Sequence, residues 1–275
     1  MKKLFALCTM LIFCVGLLAG CGGSQQASSG SGSGSGDFHG ALKGVALTVG
    51  TSGTYAPFSY FKEDGTTLTG YDLALMAKLQ EILGFEMKDG GFKDMDYPPL
   101  VTSISQGQLD VVAAALCATE DRKKNIDFSD PYYDVGVSCI VGENNNEIKS
   151  LDDLKSGKYK IAVQTGCDAY EYATHNLPAE CLVSFDSQAL AYKAVEEGQV
   201  DATVYDRPGT AYGIKTGKIH LKIVGEDAPQ APYTIAFSKN IVKKYPNIVK
   251  QFNAALKELK DNGTLDQLKK EYIGE

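Results

Sequence analysis

The chain has 275 residues, of which 44% are hydrophobic, 9% aromatic and 22% charged. That balance excludes a mostly disordered chain, a collagen-like chain and a multi-span membrane protein. The 27 basic and 34 acidic side chains give a formal net charge of −7 with no basic stripe, so nucleic acid is not an expected partner.

Met1-Lys2-Lys3 is a short positive segment, and residues 4–17 form an apolar run that ends in small residues. Residues 1–20 therefore read as an export signal, too short for a membrane span. Leu18-Ala19-Gly20-Cys21 resembles the lipobox of bacterial lipoproteins. That resemblance implies that Cys21 is acylated, becomes the new N-terminus and tethers the protein to a membrane face. Residues 21–40, with Ser-Gly repeated over 29–36, read as a flexible linker. Of seven cysteines, the body keeps Cys117, Cys139, Cys167 and Cys181. An exported compartment permits one or two disulfides among them, and the three possible pairings stay open. Their spacing fits no CxxC-type zinc site, and with three histidines in the chain neither a metal nor a cofactor is expected.

The body alternates strands and helices. Residues 41–50 read as a strand with Val45, Leu47 and Val49 on one face. After a Gly/Pro-rich loop, Asp72 is placed to cap a helix with the apolar stripe Leu73, Met76, Leu79, Ile82 and Leu83, ended by Gly84. A short strand follows near 85–88, a helix over 98–106, and at 109–116 the near-continuous apolar run of a buried parallel strand. Further strands are predicted at 137–141, 160–163, 182–185, 202–205, 219–224 and 233–237. Further helices are predicted at 150–155, 168–175, 187–197, 208–215, 241–259 and 265–272. This βαβα order implies parallel sheets covered by helices, which bind ligands at the carboxyl ends of their strands. The loops to inspect are then 51–58, 117–122, 164–168 and 206–208.

These loops offer recognition of opposite charges. Tyr55 and Phe58 flank Pro57 in the first and can wall a ligand or pack in the core. In the second, Thr119 caps a helix with Arg122 in its first turns, where the dipole favours anions over cations. The planar guanidinium there suits a carboxylate, or it forms an ordinary surface ion pair. In the third, a glycine before a helix start leaves N–H groups for an oxyanion, without the pattern of a nucleotide P-loop. In the fourth, Asp206 neutralises a ligand cation or caps the helix at Pro208. An anion receptor and a cation receptor on strand ends suit a zwitterion, and a free α-amino acid is the smallest common one. No histidine sits on these loops to serve as a general acid or base, so an enzyme is not expected.

Gly50-Thr51, Tyr55-Ala56-Pro57-Phe58, Leu68-Thr69-Gly70-Tyr71-Asp72-Leu73, Gln106-Gly107-Gln108-Leu109-Asp110 and Thr119-Glu120-Asp121-Arg122-Lys123-Lys124 follow one another in order. Ile126-Asp127-Phe128-Ser129-Asp130-Pro131-Tyr132-Tyr133, Gln164-Thr165-Gly166 and Val200-Asp201-Ala202 complete the series. From Val45 onward the chain thus resembles the bacterial extracellular solute-binding proteins of family 3, the amino-acid capture subunits of ABC importers. The resemblance implies an α/β, two-lobed periplasmic-binding-protein fold of type II. Each lobe is a mostly parallel sheet flanked by helices, and a two-strand hinge joins the lobes. Lobe 1 would be 41–134 with 232–275, and lobe 2 would be 135–231, with crossings near 134–137 and 229–233. It also implies a monomer that takes a free amino acid and delivers it to an ABC permease with a cytoplasmic ATPase. Ligand-sensing modules and arogenate-type dehydratases on the same fold are the alternatives.

By position, Arg122 takes the family's carboxylate-binding role and Asp206 the ammonium-binding role. Tyr55 and Tyr97 match the aromatics that flank the ligand side chain, and the backbone around Ala115, Cys117, Gly166 and Cys167 matches segments that hold the α-groups. The departures carry information. Cys117 and Cys167 stand where the family usually has Ser or Thr, and a thiol is a weak donor. Ala114 and Ala115 replace frequent serines. Ser52 stands where members for basic amino acids, and the glutamine member, carry an acid. A neutral ligand is therefore expected, from small polar, aliphatic and sulfur-containing amino acids such as cystine. A disulfide between Cys117 and Cys167 across the cleft is a further expectation of this alignment.

Overall fold

The computed structural model describes residues 38–274. The export signal, Cys21 and nearly all of the linker lie outside the described residues.

The chain lays down β1 (Ala46–Thr51), then the short β2 (Thr54–Tyr55), β3 (Ser59–Phe61) and β4 (Leu68–Thr69), then α1 (Tyr71–Leu83) and β5 (Glu86–Asp94). Next come α2 (Tyr97–Ser105), β6 (Val111–Cys117), α3 (Glu120–Lys123), β7 (Ile126–Phe128) and β8 (Gly136–Gly142). They are followed by β9 (Ile161–Gln164), α4 (Asp168–Asn176), β10 (Leu182–Phe185), α5 (Gln188–Glu196), β11 (Ala202–Asp206), α6 (Arg207–Lys215) and β12 (Leu221–Pro229). The chain closes with β13 (Tyr233–Ser238), α7 (Lys239–Lys244), α8 (Ile248–Asp261) and α9 (Thr264–Tyr272).

Two five-stranded sheets result, in the orders β5-β1-β6-β13-β7 and β10-β9-β11-β8-β12. Each is mostly parallel with one antiparallel member, β13 in the first and β8 in the second. β6 shows how sequence becomes a two-sided sheet. Val111, Ala113, Ala115 and Cys117 pack in one cluster, while Val112, Ala114 and Leu116 pack in another. Period-two alternation with both faces covered explains the unbroken apolar run. The second sheet has its own core around Val137, Ile140, Ile161, Val163 and Val204. β8 and β13 are the strands by which the chain passes between the two lobes. There Tyr133 and Tyr233 form an antiparallel bridge, with the Tyr233 N–H on the Tyr133 carbonyl at 2.8 Å.

The structure departs from the sequence reading at several places, among them an unforeseen β7 and a β5 that runs to Asp94. Asp72 caps nothing. The N-cap of α1 is Gly70, whose φ of 134° suits glycine, and Asp72 is wholly buried instead. Its oxygens accept from the Ala115 N–H and the Tyr132 hydroxyl, both at 2.7 Å. The segment 150–155 gives only a 3-10 turn, Asp153–Ser156. The helix over 241–259 is two helices, because Pro246 forces Tyr245 out of helical geometry at φ −128°, ψ 81°. A three-stranded sheet, β2-β3-β4, builds the segment after β1.

Candidate functional site

The carboxyl ends of β1, β6, β9 and β11 bring one cluster together between the lobes. Arg122 comes from α3, whose Thr119 cap accepts from the Arg122 N–H at 3.4 Å. Its side chain is no surface ion pair: it is buried and turned to the opposite lobe. Nη1 donates to the Cys117 carbonyl at 3.1 Å and to the Asp168 carboxylate, and Nη2 donates to the Gly166 carbonyl at 2.9 Å. Its Nε lies 3.8 Å from Glu171, and its guanidinium stands 6.0 Å from the centre of the Tyr97 ring.

Asp206 faces the same cluster from the end of β11. It occupies the N-cap position of α6 but makes no capping bond. Its Oδ2 accepts from the Tyr233 hydroxyl at 2.5 Å, and Tyr55 in turn shares a 2.8 Å bond with that hydroxyl. Its Oδ1 is buried with no hydrogen-bond partner among the described residues, and so is the Oε1 of Gln230. Burial, with the charge of Asp168 adding to it, raises the Asp206 carboxyl to about 7, against the hydrogen bond from Tyr233, the nearby Gln230 amide and the charge of Arg122. Two carboxylates and one guanidinium thus share a poorly solvated space, and the two unpaired acceptors there call for a donor. A buried acceptor left unpaired costs about 1–3 kcal/mol, which an incoming ammonium would recover.

The remaining predicted residues divide. Tyr55 reaches across the lobes: a Cβ on Gly209 of α6 would lie 2.1 Å from the Tyr55 ring. Beyond Tyr55 opens a cavity of about 290 Å³ walled by Tyr55, Tyr192, Tyr205 and Tyr212, with Gln188 at its base. Phe58 is not a wall. It is fully buried in the core of lobe 1 against Tyr71, Tyr133 and Tyr233 and stacks behind Tyr55, so it backs that ring and has no surface of its own for a ligand. Ser52 is buried and bonded to the Thr54 hydroxyl at 3.0 Å. Ala115 adopts φ 50° at the end of β6, and its N–H is held by Asp72, so that donor is not available to a ligand. Cys117 takes a 3.2 Å bond from Gln230, and the Cys167 thiol donates to the Gln164 carbonyl at 3.1 Å. Both thiols are pushed well above their ordinary range, chiefly by burial and then by Asp168 and Asp206. All four described cysteines are free, so the cross-cleft disulfide is not formed. Gly166, at φ 75°, turns its carbonyl to Arg122. The loop it begins was expected to offer N–H groups to an oxyanion, yet it supplies Asp168, a carboxylate of the chain itself. Asp168, Gln230 and Tyr233 were not among the predicted residues.

Residues 47–275 match the model of the bacterial extracellular solute-binding proteins, family 3. The chain is 33% identical over 278 residues to the L-cystine-binding protein TcyA of Bacillus subtilis, covering 100% of this chain and 98% of that protein. It is 29% identical over 277 residues to the glutamine-binding protein GlnH of the same organism, covering 100% and 98%. A solved ancestral arginine-binding protein bound to arginine is 34% identical, with a TM-score of 0.73 over 84% of this chain and 99% of that one. All three relatives are binding proteins.

Proposed function

The chain belongs to the bacterial extracellular solute-binding proteins of family 3, and from that premise we propose that it captures a neutral L-amino acid for an ABC importer. Cystine is among the candidates, in keeping with the cystine-binding relative. The observation that carries this reading is the pair of opposite charges on facing lobes, Arg122 on one and the half-unpaired carboxylate of Asp206 on the other. The ligand's ammonium goes to Asp206 Oδ1 and Gln230 Oε1, and its carboxylate goes to Arg122. Its side chain runs past Tyr55 and Tyr97 towards the tyrosine-walled cavity. The lobes close by bending at the strand pair around Tyr133 and Tyr233, near the crossings 134–137 and 229–233. Closure excludes water and strengthens both charge-assisted bonds. The ligand thus favours the closed form by its differential affinity. The closed form docks on a permease driven by a cytoplasmic ATPase, with the protein tethered outside the cytoplasm through lipid on Cys21.

A thermal-shift screen of the purified protein against the twenty amino acids and cystine, after unfolding and refolding to strip carried ligand, tests the reading. A shift for one or a few neutral amino acids supports it. Arg122→Ala should then fold normally by circular dichroism and lose binding by about a hundredfold or more, because it strands a buried carboxylate. A response to basic amino acids only, or unchanged affinity in the variant, would overturn it.

A further inference from the structure

The guanidinium of Arg122 is engaged by the protein itself. An arginine has five N–H donors, and here Nη1 serves Cys117 and Asp168, Nη2 serves Gly166, and Nε faces Glu171. Asp168 and Glu171 lie one helical turn apart on α4 of lobe 2, so both carboxylates point the same way, towards α3 of lobe 1. Glu171 also accepts from the Thr119 hydroxyl across the lobes at 3.3 Å. The Arg122 and Asp168 side chains are only 5% and 3% exposed. Solvent therefore cannot easily accommodate a second anion beside them.

We propose that Asp168 is a built-in rival of the ligand: it occupies the place at Arg122 that a ligand carboxylate needs, sets how much that carboxylate contributes to binding, and ties the lobes together in the ligand-free protein. This rests on the reading that Arg122 and Asp206 receive the ligand. A carboxylate that enters must displace the Asp168 oxygen, so it gains only the difference between two similar ion pairs. The ammonium meets no rival, because Asp206 Oδ1 and Gln230 Oε1 are unpaired acceptors among the described residues. The site therefore reads the ammonium and the side chain of a ligand more strongly than its carboxylate. Asp168 is the residue that decides this balance, acting through Arg122.

The test compares L-glutamine with L-glutaminamide and L-cystine with its diamide, by titration calorimetry, on wild type, Asp168→Asn and Asp168→Ser. The second variant guards against a misplaced asparagine amide. Small-angle scattering on ligand-stripped samples of the same three proteins supplies a readout that needs no ligand. Expected are an acid-to-amide preference below about tenfold in wild type, a widening by about tenfold or more in both variants, and a larger radius of gyration for the ligand-free variants. An unchanged preference, or acids bound more weakly than by wild type, overturns the rivalry. Unchanged scattering overturns the tie between lobes. If wild type binds none of the four compounds, the acid and amide of the amino acid that the thermal-shift screen finds take their place, and the scattering decides by itself whether Asp168 holds the lobes.

Discussion

If Asp206 receives the ligand's ammonium as proposed, proton and ligand compete for the same oxygen, and this gives the site a calculable pH profile. Burial, then the charge of Asp168, lifts the Asp206 carboxyl from 3.8 to about 7. Only the ionised form can hold an ammonium. At pH 7.5 about three-quarters of the molecules carry it ionised, and at pH 5 about one in a hundred. Affinity should thus be nearly complete above about pH 8 and fall by nearly two decades, about 2.5 kcal/mol, on going from pH 7.5 to pH 5. The other groups facing Asp206 do not blur this. Tyr55, Tyr192, Tyr205 and Tyr233, and the thiols of Cys117 and Cys167, are pushed above their ordinary ranges and stay neutral. Arg122 is raised and stays charged. Of the two other carboxyls at the cluster, Glu171 lies 3.8 Å from the Arg122 Nε and Asp168 pairs with Arg122 directly; Asp168 is raised by burial against the pull of Arg122. Its negative charge also helps to raise Asp206, so Asp168→Asn should move the fall in affinity to lower pH. Calorimetric titrations with L-cystine at half-unit steps from pH 5 to 7.5 measure it, with Asp206→Asn as a weak, pH-independent reference. A wild-type affinity that stays level over this range would refute the assignment of Asp206.

Gly209→Ala places a methyl group where the Tyr55 ring lies at 2.1 Å, so the lobes should no longer close fully. Ligand affinity should fall by about tenfold and the ligand-free protein should show a larger radius of gyration, since the same contact lies between the ligand-free lobes; equal affinities would count against closure on Tyr55. Asp72 titrates near 7 because burial raises it, in spite of bonds from Tyr132 and Ala115. A carboxyl raised in the folded state contributes stability that is complete below its unfolded pKa near 4 and is lost as pH rises through about 7. Urea unfolding should therefore show wild type losing about 2.5 kcal/mol more than Asp72→Asn between pH 5 and pH 8, and parallel profiles would refute this.

What the sequence makes legible is whatever is written locally. The apolar run of β6 marks a strand buried on both faces, and Gly84 marks the end of α1, where it adopts φ 78°. Asp72 sits three and four residues before Leu75 and Met76, on the stripe that enters the core, and that periodicity outweighs its fitness as a cap. Pro246 carries the break between α7 and α8. The residues that complete the site have no such local signature. An aspartate in the first turn of a helix is explained by the helix dipole, which conceals that Asp168 meets an arginine 46 residues away. Gln230 and Tyr233 lie in the crossing between lobes, and it is the fold that sets Gln230 on Cys117 and Tyr233 on Asp206. Phe58 shows the converse: three residues after Tyr55 and on the same loop, it is fully buried in the core.

Tyr233 ties these parts into one device. Its N–H pairs with the Tyr133 carbonyl at the strand bridge, so its backbone belongs to the crossing. Its hydroxyl donates to Asp206 on lobe 2 and, with its proton so used, accepts from the hydroxyl of Tyr55 on lobe 1. Any rotation of the lobes about the crossing strands must therefore stretch the Tyr55–Tyr233–Asp206 chain of hydrogen bonds. Opening would take that bond from Asp206 but readmit water, and because burial is the largest cause of its raised pKa, its carboxylate would ionise more easily. In the closed form an ammonium on Asp206 Oδ1 restores the ionised state, which Tyr233 bonds most strongly. Ligand charge, the ionisation of Asp206 and closure are thus coupled through a single phenol, and the pH profile of binding is also a profile of the closing motion.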